Sequence, residues 1–322
     1  MADNMQNYED GMEVPVFVFT GFIESGKTTM VHDWLNEEYF MDGRKTIVLV
    51  CEEGEKEYDE AEFAKRNVSI IHVDVPDEFT EEFLANIDRE YQPANVLIEH
   101  NCMSKIDDTF GITFPEGWYI EDIITSIDAS AFDVQMKNMA AIMSEQFRYS
   151  SLVIFNRCTE DTKKINLRAN IKSLNPPATV LFMGEDGTVE KADDILPFDI
   201  NADVIEISDI DYGLWYIDVM ENIERYDGKT VKFKGMAVRP PKFPATAFIA
   251  GRQAMTCCSD DLAFLKLLCT SDREIKINNE EWVNITAKVG YKDNAEQGPV
   301  PVLNIIDVSK AEKPETELVY FS

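Results

Sequence analysis

The stretch GFIESGKTT, Gly21 to Thr29, follows the apolar run VPVFVFT and precedes a segment with helical periodicity. The spacing Gly21-x-x-x-x-Gly26-Lys27-Thr28 at a strand-to-helix junction is restrictive because each position has a mechanical reason. Glycines let backbone N–H groups turn inward around phosphate oxygens, and the following helix start adds its positive end. A lysine reaches the outer phosphates and a threonine hydroxyl ligates Mg²⁺. Gly21, Glu24, Ser25, Gly26, Lys27, Thr28 and Thr29 are therefore expected to hold a nucleotide's phosphates. Such a site also needs an acid at the end of another strand to order the magnesium shell. Glu99, closing the run NVLIE, is placed for that role; the competing reading is an ordinary solvated strand-end carboxylate.

Runs rich in Val and Ile alternate with helical patterns up to about residue 205, from TIVLVCE through VSIIHVDV, NVLIEH, IITSIDA and SLVIFN to TVLFMG. Near-continuous apolar strands between helices predict a doubly wound, mostly parallel α/β sheet covered on both faces. From Gly228 the pattern changes to short alternating strands: KTVKFKGMAV, TAFIAGRQAMTCC, FLKLLCTS, EEWVNITAKVGY and PVLNIIDVSKAEKP. Five such strands read as a small all-β barrel of the OB-like kind. The expected organisation is a P-loop nucleotide-binding domain over 1–210, a linker helix over 211–227 and the barrel over 228–322.

The formal charge of −30 belongs to the first part of the chain, since residues from Glu224 onward carry 14 basic and 14 acidic side chains. An acidic surface repels nucleic acid phosphates and anionic lipid, which argues against both as partners. The barrel's lysines, Lys232 and Lys234 among them, lack the interleaved aromatics of a single-strand-binding surface. No 18-residue apolar stretch is present and the acidic start is unlike a signal peptide, so a cytoplasmic location without membrane insertion is expected. The cysteines at 51, 102, 158, 257, 258 and 269 form no C-x-x-C pair and suit a reducing compartment. Oligomeric state is not legible.

Ordered matches extend well beyond the loop. Gly21 to Thr29, Cys51-Glu52-Glu53-Gly54-Glu55 through Asp59, Glu99 to Cys102, Ile127-Asp128-Ala129 with Phe132, Gln146 through Asn156, and Leu174-Asn175-Pro176 with Ala178 follow one another as they do in one group of GTPases. Over Val14 to Met183 the chain resembles the CobW/HypB/UreG family, in particular its CobW-like branch. That resemblance implies that Glu52, Gly54 and Asp59 belong to a switch sensing the terminal phosphate, that Lys27 and Glu99 serve hydrolysis, and that Thr28 and Glu99 hold Mg²⁺. It also implies that Asn156 and Arg157 meet the base, that GTP is the nucleotide and that the partner is a metalloprotein client. The chain departs from the family pattern at Cys51, at Cys102, and at Asn156-Arg157-Cys158-Thr159 in place of N-K-x-D. Thr159 offers at best one neutral acceptor where a carboxylate reads guanine, so ATP stays open, with Glu160 and Asp161 as substitutes.

The family's C-x-C-C thiolate cluster is absent: the corresponding interval reads NVSIIHVDVPDEF. His72, Asp74 and Asp77 offer a harder ligand set, against the reading of solvated strand-end residues. Cys51, Cys102 and Cys158 each follow a sheet strand and stand as a thiolate set against simple burial. The second part resembles an uncharacterised bacterial family, often encoded beside a predicted permease, in which an arginine precedes adjacent cysteines. Cys257 and Cys258, with Asp260, Asp261 or Cys269, are its candidate thiol site for a metal such as zinc, against packing as the competing role. The reading is a slow Mg²⁺-dependent GTPase linked to metal homeostasis or metalloprotein maturation. The alternative is a nucleotide-gated or inactive scaffold that docks on a transporter or enzyme through the barrel.

Overall fold

All seven positions of β1 (Val14–Thr20) are buried, the signature of a strand covered on both faces. The computed structural model describes residues 13–52, 54, 57–73, 79–190, 196–255, 262–294 and 298–321. After β1 come α1 (Lys27–Leu35), β2 (Thr46–Val50), α2 (Glu60–Ala64), β3 (Val68–His72), α3 (Glu81–Tyr91), β4 (Asn95–Glu99), α4 (Ile106–Phe110) and β5 (Trp118–Asp128). They are followed by α5 (Phe132–Tyr149), β6 (Leu152–Cys158), α6 (Lys164–Leu174), β7 (Thr179–Gly184) and β8 (Val189–Glu190). The described residues fall into two compact units, one within 1–162 and 177–191, the other within 163–176 and 192–322.

The first unit is built on an eight-stranded sheet of order β3-β2-β4-β1-β5-β6-β7-β8. It is parallel except for β8, which runs against β7. Strand side chains alternate between faces, and the two cores follow that alternation. Val14, Val16 and Val18 pack with Leu84 and Ile87 of α3 on one face. Phe17 and Phe19 pack with Met30, Val31 and Leu35 of α1 on the other. The P-loop fold expected from the sequence is thus present. Because β1 lies between β4 and β5, the chain winds outward in both directions from it, and the crevice opens at the carboxyl ends of these strands. Register delivers the edge residues: Phe19 and Val50 both pair with Glu99, and Asp128 pairs with Asn156.

The second unit adds β9 (Ile205–Glu206), α7 (Tyr212–Glu221), α8 (Ile223–Tyr226), β10 (Thr230–Val238), β11 (Ala247–Met255), β12 (Leu262–Thr270), β13 (Glu281–Asn294) and β14 (Gly298–Lys310). The strands close on themselves as β10-β11-β12-β14-β13-β10, with only the β12–β14 pair parallel in the ring. Helix α7, in the segment expected as a linker, packs inside this unit: Tyr212, Trp215 and Val219 share a core with Phe233, Phe248 and Leu303. Helix α6 joins the same unit through Ala169 and through Arg168 and Lys172, which pair with Glu221 at 2.5 and 2.6 Å. Strand β11 is bordered by the C-terminal segment, where the Val319 amide donates to the Gln253 carbonyl at 2.8 Å. A Cβ on Gly213 would lie 2.6 Å from Val319 Cγ1, so glycine is what lets that segment seat against α7.

Arg252 is the most deeply buried cation of the unit, 1% exposed. Its guanidinium donates to the Asp209 carboxylate and carbonyl, both at 3.0 Å, and to the Thr316 carbonyl at 2.5 Å. It also lies over the rings of Tyr212 and Trp282. Cys257, Cys258, Asp260 and Asp261 lie outside the described residues. Cys269 is fully buried, and that burial pushes its thiol well above the ordinary range. Among the described residues no helix is long and apolar enough to cross a membrane.

Candidate functional site

The loop after β1 is held by steric necessity. Gly21 has φ +135°, and a Cβ there would lie 2.2 Å from the Ser126 carbonyl oxygen. Gly26, the left-handed N-cap of α1, has φ +97°, and its Cβ would meet Asn156 Nδ2 at 2.8 Å. Both positions demand glycine for conformation and for space. The loop closes around Lys27, whose ammonium donates to the carbonyls of Gly21 at 2.8 Å and Phe22 at 3.0 Å and to Glu52 Oε2 at 2.5 Å. Lys27 is 4% exposed and Glu52 13%, so the pair is largely shielded from water.

Thr28 donates from Oγ1 to Glu99 Oε1 at 2.6 Å, while the Tyr58 hydroxyl donates to Oε2 of the same carboxylate at 2.6 Å. Burial, then the Glu99 charge, raises the Tyr58 hydroxyl far above the usual phenol range, which keeps it a donor. A cavity of about 170 Å³ is lined by Glu24, Gly26, Lys27, Thr28, Thr29, Glu52, Gly54, Glu99 and Arg157, together with Ile23. Asp59 faces elsewhere: its carboxylate caps α2 by accepting from the Glu62 amide at 3.0 Å.

Asn156 braces the loop, its amide donating to the Ser25 carbonyl and to Ser126 Oγ at 3.1 Å. Its Oδ1 and the Ser25 hydroxyl are buried without a hydrogen-bond partner, which is unusual enough for buried polar atoms to mark a place where a ligand's polar groups fit. Arg157, at φ +52°, reaches back to Asp128 Oδ2 at 2.5 Å and to the Glu24 carbonyl at 3.2 Å. The Thr159 amide donates to Thr162 Oγ1 at 2.9 Å within its own turn, and Glu160 and Asp161 are exposed beside it.

The glycine cradle, a cationic lysine at its centre and a Thr–carboxylate pair at its rim fit a nucleotide's phosphates and a hard divalent cation. Residues 15–182, more than half of the chain, match the CobW/HypB/UreG nucleotide-binding domain. The chain belongs to the CobW/HypB/UreG family. Residues 182–321 of this CobW/HypB/UreG protein match the DUF1980 C-terminal domain. No curated protein matches it. Among solved structures, the hydrogenase maturation factor HypB from Archaeoglobus fulgidus is 16% identical, with a TM-score of 0.38, covering 54% of this chain and 82% of its own. The Zn(II)-bound YjiA GTPase from E. coli is 16% identical, with a TM-score of 0.42, covering 90% of this chain and 92% of its own.

Among the described residues no three His, Cys, Asp or Glu side chains are grouped to hold a metal. His72 pairs with Glu60 at 3.6 Å on the surface, and Asp74 and Asp77 lie outside the described residues. Cys102 and Cys158 are buried and Cys51 half-buried. Burial, then Glu99 and Glu52, pushes the Cys51 thiol up to about 12, and burial pushes Cys102 to about 11. All three are free cysteines packed into the structure. Tyr58 and Ser126 are site residues that motif reading passes over, and Asp128, part of a matched motif, gains its contact with Arg157 only here; Tyr58 had a signal in its place beside Asp59 of the switch segment.

Proposed function

We propose that this CobW/HypB/UreG member is a slow, Mg²⁺-dependent GTP hydrolase of the cytoplasm whose output is delivery of a metal, such as zinc, or maturation of a metal-dependent client. The observation carrying this reading is the closed loop in which Lys27 is centred on the Gly21 and Phe22 carbonyls while Thr28 and Glu99 share a hydrogen bond. In it, Gly21, Glu24, Ser25, Gly26, Lys27, Thr28 and Thr29 bind the phosphates, Thr28 and Glu99 hold Mg²⁺, and Asn156 and Arg157 border the base. Bound Mg²⁺ would neutralise the charge that develops on the transferring phosphate. Glu52 must yield Lys27 before a terminal phosphate takes it, which gives Glu52 and Gly54 a switching role and makes turnover slow; Asp59, the cap of α2, would take part only as the far end of the same segment. The ring order of β10 to β14 supports an OB-like barrel, here the surface for a client or transporter.

The test is binding and steady-state hydrolysis of GTP and ATP with Mg²⁺. Among the described residues Lys27→Ala removes the only cation in the cavity wall besides Arg157 and is expected to weaken nucleotide binding about 100-fold, since charge-assisted contacts to phosphate are worth about 1.5–3 kcal/mol. With Thr159 tied into its turn, GTP is expected to exceed ATP by no more than about tenfold, one lost charge-assisted contact. Equal binding by wild type and Lys27→Ala would end the hydrolase reading. Tight, Lys27-dependent binding without turnover would instead establish the nucleotide-gated scaffold, the reading that the Lys27–Glu52 pair favours.

A further inference from the structure

Glu99 is gripped on both oxygens, and only one grip comes from a residue with a place in the nucleotide motif. Thr28 and His32 stand four residues apart on α1, one turn along the same face. Thr28 gives its hydroxyl to Oε1 directly. The His32 ring is the platform for Tyr58: the two rings stack with centroids 5.0 Å apart and planes 10° from parallel, and Phe63 meets the pair edge-on, 5.0 Å from His32 and 6.1 Å from Tyr58. From that platform the Tyr58 hydroxyl reaches Oε2. The chain around it is equally determined, because Asp59 caps α2 and the Glu60 amide donates to the Tyr58 carbonyl at 3.0 Å.

A glutamate's terminal torsion is broad, so a carboxylate held at one oxygen rocks. Two donors from separate elements remove that freedom. We infer that Tyr58 is a positioning residue for the carboxylate that, with Thr28, would hold the cation: it fixes the plane of Glu99. The inference rests on the nucleotide-binding reading above and adds a residue to it. Hydrogen-bond partners of ligating carboxylates typically contribute 10–100-fold to metal affinity. Because Tyr58 lies in the same segment as Glu52, it also fastens the end of that segment to the metal site.

Tyr58→Phe isolates the hydroxyl, since phenylalanine keeps the ring on His32. The experiment titrates Mg²⁺ into the full-length protein with a fluorescent GTP analogue, and repeats the binding in EDTA. Expected is an approximately tenfold rise in the Mg²⁺ concentration giving half-maximal enhancement of binding, at the lower end of the range for such partners, with affinity in EDTA unchanged. Identical Mg²⁺ titrations for the two proteins would overturn the inference. So would an equal loss of affinity with and without Mg²⁺, the result of a merely structural role; in both cases nucleotide binding itself stands. If the wild type fails to bind the analogue at any Mg²⁺ concentration, the nucleotide reading falls and this inference with it.

Discussion

Asp209→Ala is expected to destabilise the second unit by about 3 kcal/mol, the lower end of what removing one partner of a buried ion pair costs. The magnitude comes from what is left behind. Arg252 is 1% exposed whereas Asp209 is 36% exposed, so the charge left without its partner is the buried one. It retains the carbonyls of Asp209 and Thr316, which solvate hydrogens without neutralising charge. Lys234 also loses its 3.3 Å partner, but at the surface, where such pairs contribute little. Amide exchange should accelerate in β10 to β14 and in the C-terminal segment while β1 to β7 keep their protection. Arg252→Met in the Asp209→Ala background should recover much of the loss, because an apolar side chain in the same space removes the stranded charge. No recovery in the double variant would show that the contacts to Thr316, Tyr212 and Trp282, rather than the charge, make Arg252 important.

Legibility in the sequence followed the range of the interaction. The loop from Gly21 to Thr29 is a local problem: steric rules fix the glycines, and the helix that follows fixes Lys27 and Thr28. Glu99 was readable because a parallel strand delivers its last residue to a known edge. Arg157 and Asp128 were not readable as partners, since 29 positions separate them and only the β5–β6 register brings their ends together. The role of α6 was hidden for a similar reason. Its sequence continues the alternation of the first unit, yet its salt bridges to Glu221 and its packing at Ala169 belong to the second. Periodicity reports that a face is buried, not against what. Burial of Arg252 is the extreme case, because composition assigns arginine to the surface unless a carboxylate, two carbonyls and two rings are assembled around it, here from three separate segments.

Acid should cost the first unit stability through His100, which is 1% exposed. Its Nε2 lies 3.1 Å from Thr109 Oγ1, whose own hydrogen is given to the Lys105 carbonyl; Nε2 must therefore carry the proton, and Nδ1 accepts from Thr20 at 3.4 Å. Burial, then the nearby Lys27 charge, lowers the imidazole from its ordinary 6.5 to about 4. The sign follows: above pH 6.5 the folded and unfolded chains both hold a neutral ring and nothing is lost. As pH falls from 6.5 towards 4 the unfolded chain takes up a proton that the folded one refuses, so stability drops by about 1.4 kcal/mol per pH unit and by about 3 kcal/mol across the window. Surrounding carboxylates titrate in the same range, so the quantity to measure is the difference between wild type and His100→Gln. Urea unfolding from pH 7 to pH 4, followed by amide exchange in β1 and β4, should show the wild type losing about 3 kcal/mol relative to the variant. Parallel pH profiles would mean that Thr20 turns its hydroxyl to accept from a protonated Nδ1 and so accommodates an imidazolium. The strand end beneath the loop would then tolerate a charge beside Lys27 that its burial argues against.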